Sequence, residues 1–220
     1  MDPLGGLAYR ISDRTTWKAS VAKGFRNPTI RELFIPLWGA NPGLKPEQVI
    51  NYEAGFHHMF KTMNLNIELT AFLVKGENLI VTVPLQGFMN SGRIENKGIE
   101  FSANAQPANN LSLSIAYSYI NMKTSVYATP EHQLFISSHY HYKKFSVIPQ
   151  LQIVENIDTD PGQESILQDY VNLNLKTTYH ITGFVEIFAS CENALNQTYE
   201  INRYYPMPGI TFFAGINLKY

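Results

Sequence analysis

Val171-Asn172-Leu173-Asn174-Leu175-Lys176-Thr177-Thr178-Tyr179 sets Val, Leu, Leu, Thr and Tyr at the odd positions against Asn, Asn, Lys and Thr at the even ones. A period of two belongs to an extended strand, whose side chains point alternately to its two faces. Such a strand needs an apolar surrounding on one side and a polar one on the other.

The alternation continues outward in both directions. Towards the C-terminus, Val185, Ile187, Ala189 and Cys191 oppose Glu186, Phe188, Ser190 and Glu192, and Ile210 to Tyr220 forms a last strand. Towards the N-terminus, the segments from Phe145 to Ile153, Leu134 to Tyr142, Leu111 to Tyr119, Ile99 to Ala105, Leu65 to Leu73, Ile50 to His58, Trp17 to Val21 and Leu4 to Ile11 alternate likewise. The pattern predicts an all-β chain of about eleven strands with no convincing helix.

Composition narrows the setting of these strands. Of 220 residues 16% are charged, 13% aromatic and 45% hydrophobic, against roughly 25% charged in ordinary soluble domains. No run approaches the ~18 apolar residues of a transmembrane helix. A formal net charge of -1 supplies no basic footprint, which argues against a nucleic-acid partner. Cys191 is the single cysteine, so no internal disulfide forms. The start, Met1-Asp2-Pro3-Leu4-Gly5-Gly6, has no charged segment leading into an apolar one, so no signal peptide is read there.

Connections read alternately short and long. Tight turns fall near positions 13, 62, 108, 143 and 181, and long segments span 24 to 47, 84 to 93, 124 to 130, 156 to 166 and 193 to 209. A membrane barrel has this asymmetry, with short periplasmic turns and long extracellular loops. Strands of about ten residues also suit a tilted crossing. A soluble β-sandwich shows the same alternation with its polar face outward, and stays open as the alternative on pattern alone.

The longest Pro- and Gly-punctuated insertion reads Gly24-Phe25-Arg26-Asn27-Pro28-Thr29-Ile30-Arg31-Glu32-Leu33, then Asn41-Pro42-Gly43-Leu44-Lys45-Pro46-Glu47, then Asn51-Tyr52-Glu53-Ala54-Gly55-Phe56. This series closely resembles the barrel signature of TonB-dependent outer-membrane receptors. Further matches are Asn90-Ser91-Gly92 with Lys97-Gly98-Ile99-Glu100, Ala116-Tyr117-Ser118-Tyr119, and Cys191 to Tyr199, which is similar to an Asn-Leu-Phe-Asn-x-x-Tyr element. The chain departs from the pattern at Ala194-Leu195 and in ending on Tyr220, where Phe is commoner.

The resemblance implies an antiparallel transmembrane β-barrel portion, an up-and-down meander of about eleven strands making half of a roughly 22-stranded barrel. Residues 1–220 are then expected to be the C-terminal part of that barrel, without plug domain or signal peptide. The implied function is TonB-energised uptake of a scarce ligand, such as a ferric siderophore, across the outer membrane of a Gram-negative bacterium. Implied partners are outer-membrane lipid, the N-terminal plug and remaining strands, the TonB complex through the plug, and a small-molecule or metal-chelate ligand. No cofactor and no enzymatic activity are expected. A passive pore, a small-barrel enzyme and a soluble β-sandwich binding module are the competing readings.

Arg26, Glu32, Trp38, Asn41, Lys45 and Glu47 are the candidate ligand-binding residues, since they are polar or aromatic members of the insertion at the implied extracellular mouth. Bracing of the loop, with Pro28, Pro42 and Pro46 stiffening it, is the competing role for the polar ones. Haem receptors of the family carry a histidine in this loop, and none occurs from Asn27 to Ala40. His139 and His141 share a strand face, but no cysteine or carboxylate stands at a ligand spacing, so they read as polar-face residues rather than a metal site. Tyr117, Tyr119, Tyr140, Tyr142 and Tyr179 fall near strand ends, as interfacial aromatics do. Tyr220 resembles the family's terminal assembly signal.

Overall fold

The computed structural model describes residues 4–36, 39–83, 86–123, 126, 128–159 and 166–218. Trp38 and Tyr220 lie outside the described residues.

The strands in chain order are β1 (Leu4–Ser12), β2 (Thr15–Arg26), β3 (Glu47–Phe60), β4 (Leu65–Val83), β5 (Gly87–Ala108), β6 (Leu111–Met122), β7 (Pro130–Tyr142), β8 (Phe145–Asp158), β9 (Leu167–His180), β10 (Val185–Glu192), β11 (Glu200–Asn202), β12 (Tyr205–Pro206) and β13 (Thr211–Leu218). Eleven of them hydrogen-bond in sequence order from β1 to β10 and then to β13, while β11 and β12 form a separate hairpin. The expected meander is therefore present with the expected strand number. Contacts divide the chain into one unit of Met1–Phe56, Thr70–Gly98 and Asn121–Thr124, and a second of His57–Leu69, Ile99–Ile120 and Ser125–Tyr220.

In the second unit the register follows the sequence pattern. Ile115 lies opposite Ile136, Ile136 opposite Leu151 and Leu151 opposite Leu173. Apolar residues thus form cross-strand rows on one face, the pairing that stabilises sheets. In the first unit, β1 and β2 pair antiparallel with Tyr9 opposite Trp17.

Burial is inverted relative to a soluble protein. Among the described residues, the buried hydrophobics are Phe88, Val154, Ile157, Tyr170 and Tyr199, whereas Leu7, Trp17, Phe212 and Leu218 are at least half exposed. A sandwich would bury such side chains between its sheets. A strand surface facing lipid leaves them outside.

Three segments differ from the pattern reading. Gln86 to Arg93 reads as a loop because it holds Gly87, Asn90 and Gly92, yet β5 begins at Gly87. The glycines serve close approach: a Cβ on Gly92 would stand 2.6 Å from the Leu79 Cβ, and one on Gly76 2.6 Å from Ile94. Strands β4 and β5 consequently reach 19 and 22 residues, well beyond the 9 to 11 or so that a tilted crossing needs. A short helix, α1 (Ile30–Phe34), stands where no helix is expected. The 193 to 209 segment, expected as plain loop, carries the β11–β12 hairpin.

Candidate functional site

Helix α1 is only five residues long, too short to hold itself together in water. Thr29 starts it with a capping box: its hydroxyl accepts from the Glu32 amide at 3.3 Å, and the Glu32 carboxylate accepts from the Thr29 amide at 2.6 Å. The same carboxylate also accepts from the Thr29 hydroxyl at 2.9 Å. Two otherwise orphaned donors at the helix start are thereby satisfied.

Glu32 carries a second duty. Arg26, the last residue of β2, donates to it from both terminal nitrogens at 3.1 to 3.2 Å. The same guanidinium donates to Glu47, the first residue of β3, at 2.6 and 2.8 Å. This second contact is the bidentate geometry that only arginine offers a carboxylate. Glu47 in turn accepts from the Ile80 amide in β4 at 2.8 Å. One cation thus ties the ends of β2 and β3, the intervening helix and β4 into a clamp.

Glu32 is only 7% exposed. The hydrogen bonds from Arg26 outweigh that burial and, with those from Thr29, hold its carboxyl down to about 2 from an ordinary 4.5.

The remaining candidates extend the clamp. Asn41 donates its side-chain amide to the Phe88 carbonyl at 3.0 Å, accepts from the Gly43 amide at 2.9 Å, and gives its backbone N–H to the Glu32 carbonyl at 2.8 Å. Lys45 enters through its backbone: its N–H donates to Asn90 Oδ1 at 2.7 Å and its carbonyl accepts from Asn90 Nδ2 at 2.9 Å. Asn90 also donates to the Asn78 carbonyl at 2.7 Å. Gly39 and Gly87 meet backbone to backbone with φ of +71 and +78, where a Cβ on Gly39 would stand 2.5 Å from the Gly87 Cα. Arg26, Glu32, Asn41, Lys45 and Glu47 are therefore brought together, with Trp38 outside the described residues.

Sequence reasoning did not assign roles to Asn90, Phe88 and Gly87. Apart from Asn78, twelve positions from Asn90, their partners lie more than forty positions away in sequence, so no local spacing reveals them. Asn-x-Gly inside an extended segment is the one available signal, because it combines a backbone-mimicking amide with a position lacking a side chain.

A second brace lies in the other unit. Asn193, 3% exposed, donates its side-chain amide to the carbonyls of Gln197 and Pro208 at 2.9 and 3.0 Å, and accepts from the Gln197 N–H at 3.0 Å. Its φ of 48° is one that asparagine tolerates better than most residues. Gln197 accepts from the Val171 amide at 2.6 Å. Tyr199 then stacks on Tyr170 with centroids 4.1 Å apart, joining Val154 and Ile157 in a small core against which Ile201 and Met207 pack. Burial pushes the Tyr199 phenol up.

His139 and His141 have ring centroids 6.2 Å apart. Among the described residues no group of three His, Cys, Asp or Glu side chains is placed to hold a metal ion. Tyr140, Tyr142 and Tyr179 are exposed, while Tyr117 bonds His132 at 2.8 Å and Tyr119 stacks on the same ring at 4.7 Å.

Residues 3–194 match the family model for the TonB dependent receptor-like β-barrel. The vitamin B12 transporter BtuB of Vibrio cholerae is 23% identical over 97% of this chain and 36% of its own length. A mutant ferric enterobactin receptor, PfeA, from Pseudomonas aeruginosa superposes with a TM-score of 0.81 at 18% identity, covering 100% of this chain and 40% of that one. The copper transporter OprC gives 0.80 at 18% identity, covering 98% and 39%. The chain thus spans little more than a third of the curated relative's length, 36%. The family resides in the outer membrane of Gram-negative bacteria, and its members are receptors and transporters rather than enzymes. This chain belongs to the TonB-dependent receptor β-barrel family.

Proposed function

We propose that residues 1–220 are the C-terminal part of the barrel of a TonB-energised receptor that takes up a scarce ligand, with a ferric siderophore as the default class. The observation carrying this reading is the Arg26–Glu32–Glu47 clamp, which fixes a long loop at the strand ends joined by long connections. Those connections are extracellular in barrels of this kind, so a fixed loop there offers a preorganised rim to an incoming ligand. Iron-complex receptors among the similar structures support the ligand class.

In this reading Glu32, Glu47 and Asn41 hold the rim, and Arg26, Lys45 and Trp38 are the members that touch ligand. Arg26 keeps 44% of its side chain exposed beside its carboxylates, and Lys45 is exposed and bonds Asn90 through its backbone. The plug, the remaining strands, the TonB complex and outer-membrane lipid are the partners. Tyr220 is the assembly signal.

The test is uptake by the full receptor in cells with and without TonB, offering ferric enterobactin and cyanocobalamin in parallel. Iron-complex uptake that requires TonB supports the proposal. TonB-independent uptake points to a passive pore, and exclusive cobalamin uptake replaces the ligand class while leaving the transport reading intact.

A further inference from the structure

We propose that the second unit carries a binding site for an anionic phospholipid of the periplasmic leaflet, with one acyl chain lying in a groove across β5–β9 and the phosphate on Lys143. The inference goes beyond uptake and concerns the apolar face of these strands.

The groove has a volume of about 530 Å3. Its floor is made of small or truncated side chains, Ala103, Ala105, Ser138 and Pro149, and its walls are Leu113, Ile136, Leu151 and Leu173. The sequence builds the dent at one place. Pro149 has no N–H, and the β7–β8 ladder runs as far as Ser137 opposite Gln150, then resumes at Tyr140 opposite Val147. Proline inside a paired strand removes a ladder hydrogen bond. Ser138, beside that break and opposite Leu113, takes the place of the large apolar residues that flank it on the same face.

A cation is fixed below the dent. The two-residue turn Lys143–Lys144 joins Tyr142 to Phe145, which pair directly. Tyr142 is on the same face as Ser138 and Ile136, and it is exposed. Lys143 Nζ lies over its ring, 5.3 Å from the centroid, so an aromatic of the apolar face holds the ammonium. Lys144 instead donates to the Ile181 carbonyl at 2.8 Å. Tyr142 opposes Phe145, and Phe145 opposes Tyr179, an aromatic row of the kind that sits at headgroup level.

Spacing matches one lipid. Ser138 and Tyr142 are four residues apart, about 13 Å at ~3.3 Å per residue. On a strand tilted ~45° this is about 9 Å of depth, inside the ~15 Å of one leaflet's hydrocarbon. A phosphate at Lys143 therefore lets its acyl chain reach the dent. Short turns face the periplasm, which selects a phospholipid of the inner leaflet.

The test is native mass spectrometry of the intact receptor exchanged into mixed micelles with equal phosphatidylglycerol and phosphatidylcholine. The expected result is retention of phosphatidylglycerol about five- to tenfold over phosphatidylcholine. Lys143→Gln should abolish that preference, and Ser138→Leu, which fills the dent, should reduce retention of both lipids. Ala19→Leu, on the apolar surface of the other unit, should leave both unchanged. Heat-modifiable migration on gels confirms that each variant is folded; should Ser138→Leu fail to fold, Lys143→Gln decides alone. Equal retention of the two lipids by the parent, an unaltered preference in Lys143→Gln, or a receptor dimer that disappears in Ser138→Leu would each overturn the proposal.

Discussion

The loop between β2 and β3 is closed by charges, and the loop between β10 and β13 by neutral amides over an aromatic stack. In the first, Arg26 holds two carboxylates, one from α1 and one from β3. In the second, Asn193 and Gln197 imitate backbone groups, and Tyr199 buries a ring on Tyr170. A charged clamp is strong where complete but fails when one member is lost, because the carboxylates left behind have no counter-charge. An amide network shares its hydrogen bonds among several groups. The two designs should therefore break differently.

Removing the hub of the charged clamp is the strongest way to separate them. Arg26→Ala leaves Glu32 and Glu47 near each other without the guanidinium. Breaking a buried ion pair costs about 3 to 5 kcal/mol; Arg26 is 44% exposed on its side chain, so about 2 to 3 kcal/mol is expected. Hydrogen exchange of the Leu33 and Asn41 amides, which bond the Thr29 and Glu32 carbonyls, should quicken about 30- to 150-fold. Arg26→Lys should restore little, since an ammonium cannot make the bidentate contact. Unchanged exchange in Arg26→Ala would show that α1 is held by its neighbours and not by the clamp.

Asn193→Ala is the matching lesion in the amide brace. It orphans the Gln197 and Pro208 carbonyls and the Gln197 N–H together. About 2 kcal/mol is expected, near 25-fold in the exchange of the Gln197 and Met207 amides. The response should be insensitive to salt, in contrast to Arg26→Ala.

Acid should open one loop without any mutation. Arg26 and Thr29 hold the Glu32 carboxyl down to about 2 from 4.5. A depressed carboxylate contributes stability that is complete above the unfolded value and is lost as pH falls through the folded one. The α1 loop should accordingly loosen between about pH 4.5 and 2, read at the Leu33 amide. The Gln197 amide, held by the Asn193 side chain, should not follow. Parallel loosening would mean that the sheet itself gives way first.

Thr29→Ala probes the cap alone. Loss of an N-cap hydroxyl costs about 1 kcal/mol, so the Leu33 amide should exchange about fivefold faster while Asn41 changes less. An effect as large as that of Arg26→Ala would make the capping box the true hub.

What sequence could foretell follows the same division. Strands such as β9 were legible because period-two alternation is local, and the Asp13, Asn109 and Lys143 turns were legible from their composition. The span 86 to 93 was misread, because Gly87, Asn90 and Gly92 carry loop chemistry until their close contacts with Gly39, Lys45 and Leu79 are known. Thr29-x-x-Glu32 is a capping-box spacing, but a five-residue helix has no periodicity to support it and depends on Arg26 from β2. Arg26, Glu32 and Glu47 could be named as a group, yet their mutual bonding could not. Asn193 was visible as a motif member and silent as a brace, since its side chain bonds backbone groups, the Gln197 and Pro208 carbonyls and the Gln197 N–H.

Tyr199→Phe asks whether the aromatic stack or the phenol holds the second loop. The phenolic oxygen accepts from Asn172 Nδ2 at 3.3 Å, a long contact, whereas the ring keeps its stacking on Tyr170 at 4.1 Å and its packing with Val154 and Ile157. Loss of the hydroxyl alone leaves the apolar burial intact and removes one long contact. About 0.5 kcal/mol is expected, near twofold in the exchange of the Met207 amide, which donates to the Tyr199 carbonyl at 2.9 Å. A loss as large as that of Asn193→Ala would relocate the anchor from Asn193 to the Asn172–Tyr199 pair. The neutral brace would then depend on one hydrogen bond as the charged clamp depends on one cation, and the contrast between the two loops would disappear.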